Sequence, residues 1–145
     1  MLTAGNAYSA SLAGQWKCRM ADDSAIKTLV VSTLTIDSNL KTYERNAEIT
    51  FRMERVKKPI VQIDTHERGL LSLREERLTF SPVDARVTVV QSGILDEALL
   101  ARDSLASLQT EASAHIVKLD RTSFTIKLDH ADSFDECVRV TDVDL

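Results

Sequence analysis

Cys18 and Cys137 are the two sulfur-bearing nucleophiles of the chain, and they lie near opposite ends of it. That separation excludes the CxxC spacing of a redox or zinc site. Two readings stay open: a disulfide tying the first strand to the last, or two buried thiols in a reducing compartment. Each cysteine sits in a short alternating stretch, which favours the disulfide. Closing so long a loop would contribute about 4–5 kcal/mol on the chain-entropy view, and such a bond implies an oxidising compartment. The three histidines, His66, His115 and His130, are far apart, with no pair at the i, i+4 spacing of a helical metal site. Asp129, His130 and Asp132 could hold a cation, but a solvated hairpin turn is the simpler reading. His66, between Asp64 and Glu67, is a candidate pH sensor because acids flank it. His115 reads as a structural or partly exposed residue at a strand start. There is no GxSxG, no P-loop and no activated cysteine motif, and none of the 22 acids falls in a general acid or base pattern. The expectation is a protein that is not an enzyme, with no cofactor and no metal.

These residues need a scaffold, and the bulk composition bounds it. A chain of 145 residues suits one domain with one core. Hydrophobic residues at 43% and charged residues at 28% exclude a disordered chain. A net charge of −4 gives no basic face for nucleic acid. No run of about 18 apolar residues exists to form a membrane-crossing helix. Met1 to Ala13 lacks the apolar centre of a signal peptide, so a periplasmic location would imply a leader or anchor outside these residues.

Period-two alternation dominates, the mark of strands with one buried face. Trp16, Cys18 and Met20 oppose Gln15, Lys17 and Arg19. Ile26, Val30, Leu34 and Ile36 share a face of the next stretch, and Asp37-Ser38-Asn39 is turn chemistry. Tyr43, Arg45, Ala47, Ile49, Phe51 and Met53 alternate with polar residues. Ile60 to Thr65 resumes the pattern, and Gly69 is expected to punctuate it. Leu71 and Leu73, then Leu78 and Phe80, read as short strands around a Glu75-Glu76 turn. Val83, Ala85, Val87 and Val89 read as another. The period then changes: Ala98, Ala101, Leu105, Leu108 and Ala112 predict an amphipathic helix over about 95–113 with Ser92 as its cap. Strands return at His115 to Leu119, at Phe124, Ile126 and Leu128, and at Phe134 to Val140. The fold class is therefore mainly β: an antiparallel barrel of about eight strands with one late helix, closure removing the sheet edges. Residues 1–13 are expected to be extended or disordered, 14–141 to form the barrel domain, and 142–145 to be a tail.

A small barrel fills its interior with side chains or holds one ligand. The inward candidates are Trp16, Met20, Tyr43, Ile49 and Phe51, with Met53, Ile63, Phe80, Phe124 and Ile126. They line a pocket for an apolar or amphipathic molecule on one reading, and are plain core on the other.

Gly14-Gln15-Trp16 resembles the G-x-W signature of lipocalins. From Asn39 to Leu128 the order of elements, with Leu78-Thr79-Phe80-Ser81-Pro82-Val83 leading to the helix and then Ile116-Val117-Lys118-Leu119-Asp120 and Phe124-Thr125-Ile126-Lys127-Leu128, resembles the periplasmic domains of the ToxS, VtrC and FidL-like group. The resemblance spans about two thirds of the chain. It implies a lipocalin-like barrel in the bacterial periplasm that forms a heterodimer with the sensor domain of a ToxR-type membrane regulator, stabilises it, and helps sense an amphipathic ligand such as a bile salt. The chain departs from that group in its Cys18/Cys137 pair and in carrying no inner-membrane anchor within these residues. The alternative is a free-standing lipocalin-like carrier of a small apolar ligand. A partner subunit should show an open strand edge or exposed apolar patch; an enzyme would need polar residues converging inside the barrel, where the alternation predicts mostly apolar ones.

Overall fold

The alternating stretches become strands, and the Asp37-Ser38-Asn39 cluster becomes the turn of a hairpin. The computed structural model describes residues 12–22, 26–53, 59–129 and 133–140. Their elements are β1 (Gly14–Asp22), β2 (Ile26–Ile36), β3 (Thr42–Met53), β4 (Val61–Arg74), β5 (Arg77–Gln91), α1 (Glu97–Leu108), β6 (Ala112–Leu119), β7 (Ser123–Leu128) and β8 (Phe134–Arg139). The strands pair in sequence order as one antiparallel meander, and β8 returns to pair with β1, closing an eight-stranded barrel of the lipocalin-like type. The turn between β2 and β3 is held by Asp37, whose carboxylate accepts from the backbone N–H of Lys41 at 2.9 Å and of Thr42 at 3.2 Å. Cys18 and Cys137 stand directly opposite each other across the β1–β8 seam and form a disulfide over a separation of 119 residues.

Three expectations need correction. The stretches 60–65 and 71–73 are one strand, β4, and Gly69 does not interrupt it. Gly69 occupies an inward position opposite Pro82, where a Cβ would lie 2.1 Å from the Ser81 carbonyl oxygen, so only glycine lets the strands approach. The stretches around Phe80 and Val87 are likewise one strand, β5. Arg68 pairs with Asp84 and Gly69 with Pro82, so Val83 is an extra residue in a bulge and is 73% exposed. The bulge flips the phase, so Ala85, Val87 and Val89 keep the inner face without Val83. It falls beside Pro82, which has no N–H to give a ladder.

The third correction concerns the helix, which is shorter than its periodicity suggests. Asp96, not Ser92, caps it, accepting from the Leu99 N–H at 3.0 Å. Ala112 belongs to β6, where it pairs with Phe80, because barrel closure claims it. No residue of α1 is buried; Ala98 is exposed, and Leu100, Leu105 and Leu108 are half-buried.

The core gathers at one end. Trp16, Leu34, Leu78, Phe124 and Ile126 are almost wholly buried, and Leu12 joins them, so the core reaches back two residues before the expected start of the domain. Trp16 meets Phe124 edge-to-face at 4.6 Å, and Tyr43 meets Phe80 at 5.0 Å. Burying each such side chain is worth about 1.5–3 kcal/mol. Residues 1–11 and 141–145, which contain the expected tail, lie outside the described residues.

Candidate functional site in the lumen and along its rim

The barrel has a closed base. Trp16 donates its indole N–H to the Leu12 carbonyl at 3.0 Å. Arg139 lies over the other side of the ring at 4.2 Å, donating Nη1 to the Ala13 carbonyl at 2.8 Å and Nε to the Arg121 carbonyl at 2.8 Å. Gly14 sits at φ +124°, where a Cβ would come within 2.6 Å of Arg139 Nη1. The glycine and tryptophan of Gly14-Gln15-Trp16 thus share one cause, the guanidinium stacked beneath the barrel.

Above this base the interior turns polar. Tyr43 and Arg45 project from β3, Glu67 from β4 and Asp135 from β8. The Tyr43 hydroxyl donates to Glu67 Oε2 at 2.7 Å, and Arg45 Nη1 donates to Glu67 Oε1 at 3.3 Å. The guanidinium of Arg45 stands 4.6 Å from the Phe80 ring centre. Glu67 is only 5% exposed. Burial, then the hydrogen bond to Glu67, pushes the Tyr43 phenol well above its ordinary range. Burial also raises the Asp135 carboxyl, with the Arg45 charge pulling the other way. Ser32 and Thr65 add two buried hydroxyls to this layer. The prediction of a mostly apolar lumen therefore holds at the base and fails in the middle.

Sequence reasoning missed Arg45, Glu67 and Asp135 as a group. Arg45 lay in phase with Tyr43 and Ile49. Glu67 lay in phase with Ile63 but was masked by the supposed break at Gly69. Asp135 shares the inward phase of Cys137.

The mouth is apolar. Met20, Val30, Ile49, Phe51, Val87 and Val89 turn inward and stay half-buried. Of the ten expected lining residues, Trp16, Tyr43, Ile63, Phe80, Phe124 and Ile126 are buried in packing, Met20, Ile49 and Phe51 line the mouth, and Met53 at the end of β3 is 54% exposed.

The wall is incomplete on one flank. β5 pairs with β6 only through Arg77–Phe80. Beyond Phe80, residues 81–91 have no strand on that side among the described residues, and α1 packs there instead. Along β5 and the segment that leads from it into α1, Val83, Val90, Ile94, Leu95 and Leu99 are all at least 48% exposed.

The histidines lie on the outer wall or outside the described residues. His66 Nε2 is 3.3 Å from Glu44 Oε1, and its Nδ1 is 3.4 Å from Arg86 Nη2, at the edge of a shallow hollow of about 620 Å³ that crosses β2 to β5. Its acidic partner is thus Glu44 from the neighbouring strand. His115 is exposed, 3.6 Å from Glu76. Asp129 is ion-paired with Arg77, while His130 and Asp132 fall outside the described residues. Cys18, Asp135 and Cys137 bring possible ligand atoms within 4.8 Å of one another, but both sulfurs are committed to the disulfide. No family model and no curated protein matches this chain.

Proposed function

We propose that this chain is a periplasmic partner subunit that binds and stabilises the sensor domain of a membrane-bound transcriptional regulator of the ToxR type. The observation that carries the reading is the flank of β5 along residues 81–91, which has no strand partner on that side among the described residues and is covered by α1 alone. A strand of the partner that displaces α1 would pair there. Val83, Val90, Ile94, Leu95 and Leu99 supply the apolar contact that a docked domain would bury. The disulfide suits an oxidising compartment such as the periplasm. The apolar mouth gives such a heterodimer a surface for an amphipathic ligand, a bile salt among them.

The second reading, a free-standing carrier, is favoured by the half-buried inner face of the mouth alone. Size-exclusion chromatography with the periplasmic domain of a ToxR-type regulator separates the two. A one-to-one complex is expected. Replacing Val83 and Val90 by Lys should weaken that complex about 10-fold or more while leaving the melting temperature of the isolated chain unchanged, since both side chains are already exposed. Two monomer peaks, with and without bile salt, would favour the carrier.

A further inference from the structure

Arg45 is incompletely satisfied. Nη1 donates to Glu67 at 3.3 Å, while Nε is buried with no hydrogen-bond partner. A buried donor left unpaired is costly, and each such group calls for an explanation, a bound group among them. The rings of Phe80 and Tyr43, 4.6 and 5.8 Å from the guanidinium carbon, flank the group. With Nη1 taken by Glu67, the remaining edge is the Nε–Nη2 fork, whose two donors match the two oxygens of a planar carboxylate.

The neighbouring acids do not fill that fork. Glu67 is held on its other oxygen by Tyr43 at 2.7 Å. Asp135 feels the Arg45 charge without a hydrogen bond to it among those described, and its burial disfavours the anion. Access comes from above. The Arg45 side chain keeps 22% of its surface exposed on the inner face of the barrel, while Nε itself is covered and is reached only as the guanidinium turns toward a ligand. Four residues along β3, about 13 Å at strand rise, stands Ile49, with Met20, Val30 and Val89 across from it on the inner face. An apolar slope therefore leads down to a cation.

We propose that Arg45 anchors the carboxylate head of an amphipathic molecule whose apolar part, about 13 Å long, lies along the mouth of the barrel. This deepens the reading of the lumen as a ligand surface and needs no partner chain. Its failure would leave docking on β5 untouched.

The probes are dodecanoate and dodecanol, kept below micelle formation and titrated calorimetrically into the full chain. The folded chain is expected to bind the acid roughly 10-fold or more tightly than the alcohol, the range of one charge-assisted pair. Arg45→Met should abolish the preference while retaining dodecanol binding. Arg45→Lys should keep a reduced preference, having the charge without the fork. Glu67→Gln removes the competing negative charge and should tighten dodecanoate binding several-fold, which keeps a test in hand if Arg45→Met does not fold. Equal affinity for acid and alcohol, an unchanged preference in Arg45→Met, or no binding of either probe overturns the proposal.

Discussion

Arg139 is gripped by the Trp16 ring and by the carbonyls of Ala13 and Arg121. A cation over an indole contributes about 0.5–2 kcal/mol and each hydrogen bond about 1 kcal/mol. Arg139→Ala is therefore expected to lower the unfolding free energy by about 2 kcal/mol, read from urea denaturation. Asp135 makes a contrasting case. Its carboxyl is raised by burial, so it supports the fold while neutral, below its unfolded pKa, and that support is lost as pH rises through its folded pKa. Asp135→Asn should raise Tm at about pH 7 and change it little at about pH 3, where the carboxyl is neutral in both states. Among single residues, apolar positions were legible because alternation reports them directly. Arg45 was placed on the inner face by the same alternation, but its meeting with Glu67 and Asp135 was not legible, because a charged residue on a strand ordinarily marks the wet face and only the closed barrel brings β3, β4 and β8 together.

Among the elements, β4 and β5 taught the most. Gly69 and Pro82 are punctuation in a linear reading, and in the structure they face each other within one long hairpin. The glycine provides clearance and the bulge at Val83 absorbs the proline, so the two breakers answer each other across the ladder. Gly69→Ala should cost about 3 kcal/mol, because its Cβ meets backbone that cannot turn aside; thermal unfolding followed by circular dichroism checks it. The helix existed where periodicity placed it, but its ends were set elsewhere. Its C-terminal boundary depends on β6 needing Ala112 to pair with Phe80, which no local pattern records. The turn at Asp37 was legible because an aspartate accepting its own downstream N–H groups is a local event.

For the whole molecule, the mainly β class and the meander order followed from alternating stretches separated by short turns, although two pairs of those stretches merged into β4 and β5, and closure followed from two cysteines placed in the first and last of them. The open flank of β5 was not legible, because it depends on how few residues of β6 remain after the helix has used its share of the chain. The seam has a mechanical consequence. The sulfur bond joins residues 18 and 137, so tension applied at the two ends passes straight across β1 and β8. The span between them, a sequence separation of 119, carries none of that load, nor do the lumen and its rim. Stretched between a tip and a surface, the oxidised chain should therefore withhold about 400 Å of contour length and release it only after the bond is reduced. A barrel pulled by its ends would keep its interior at rest.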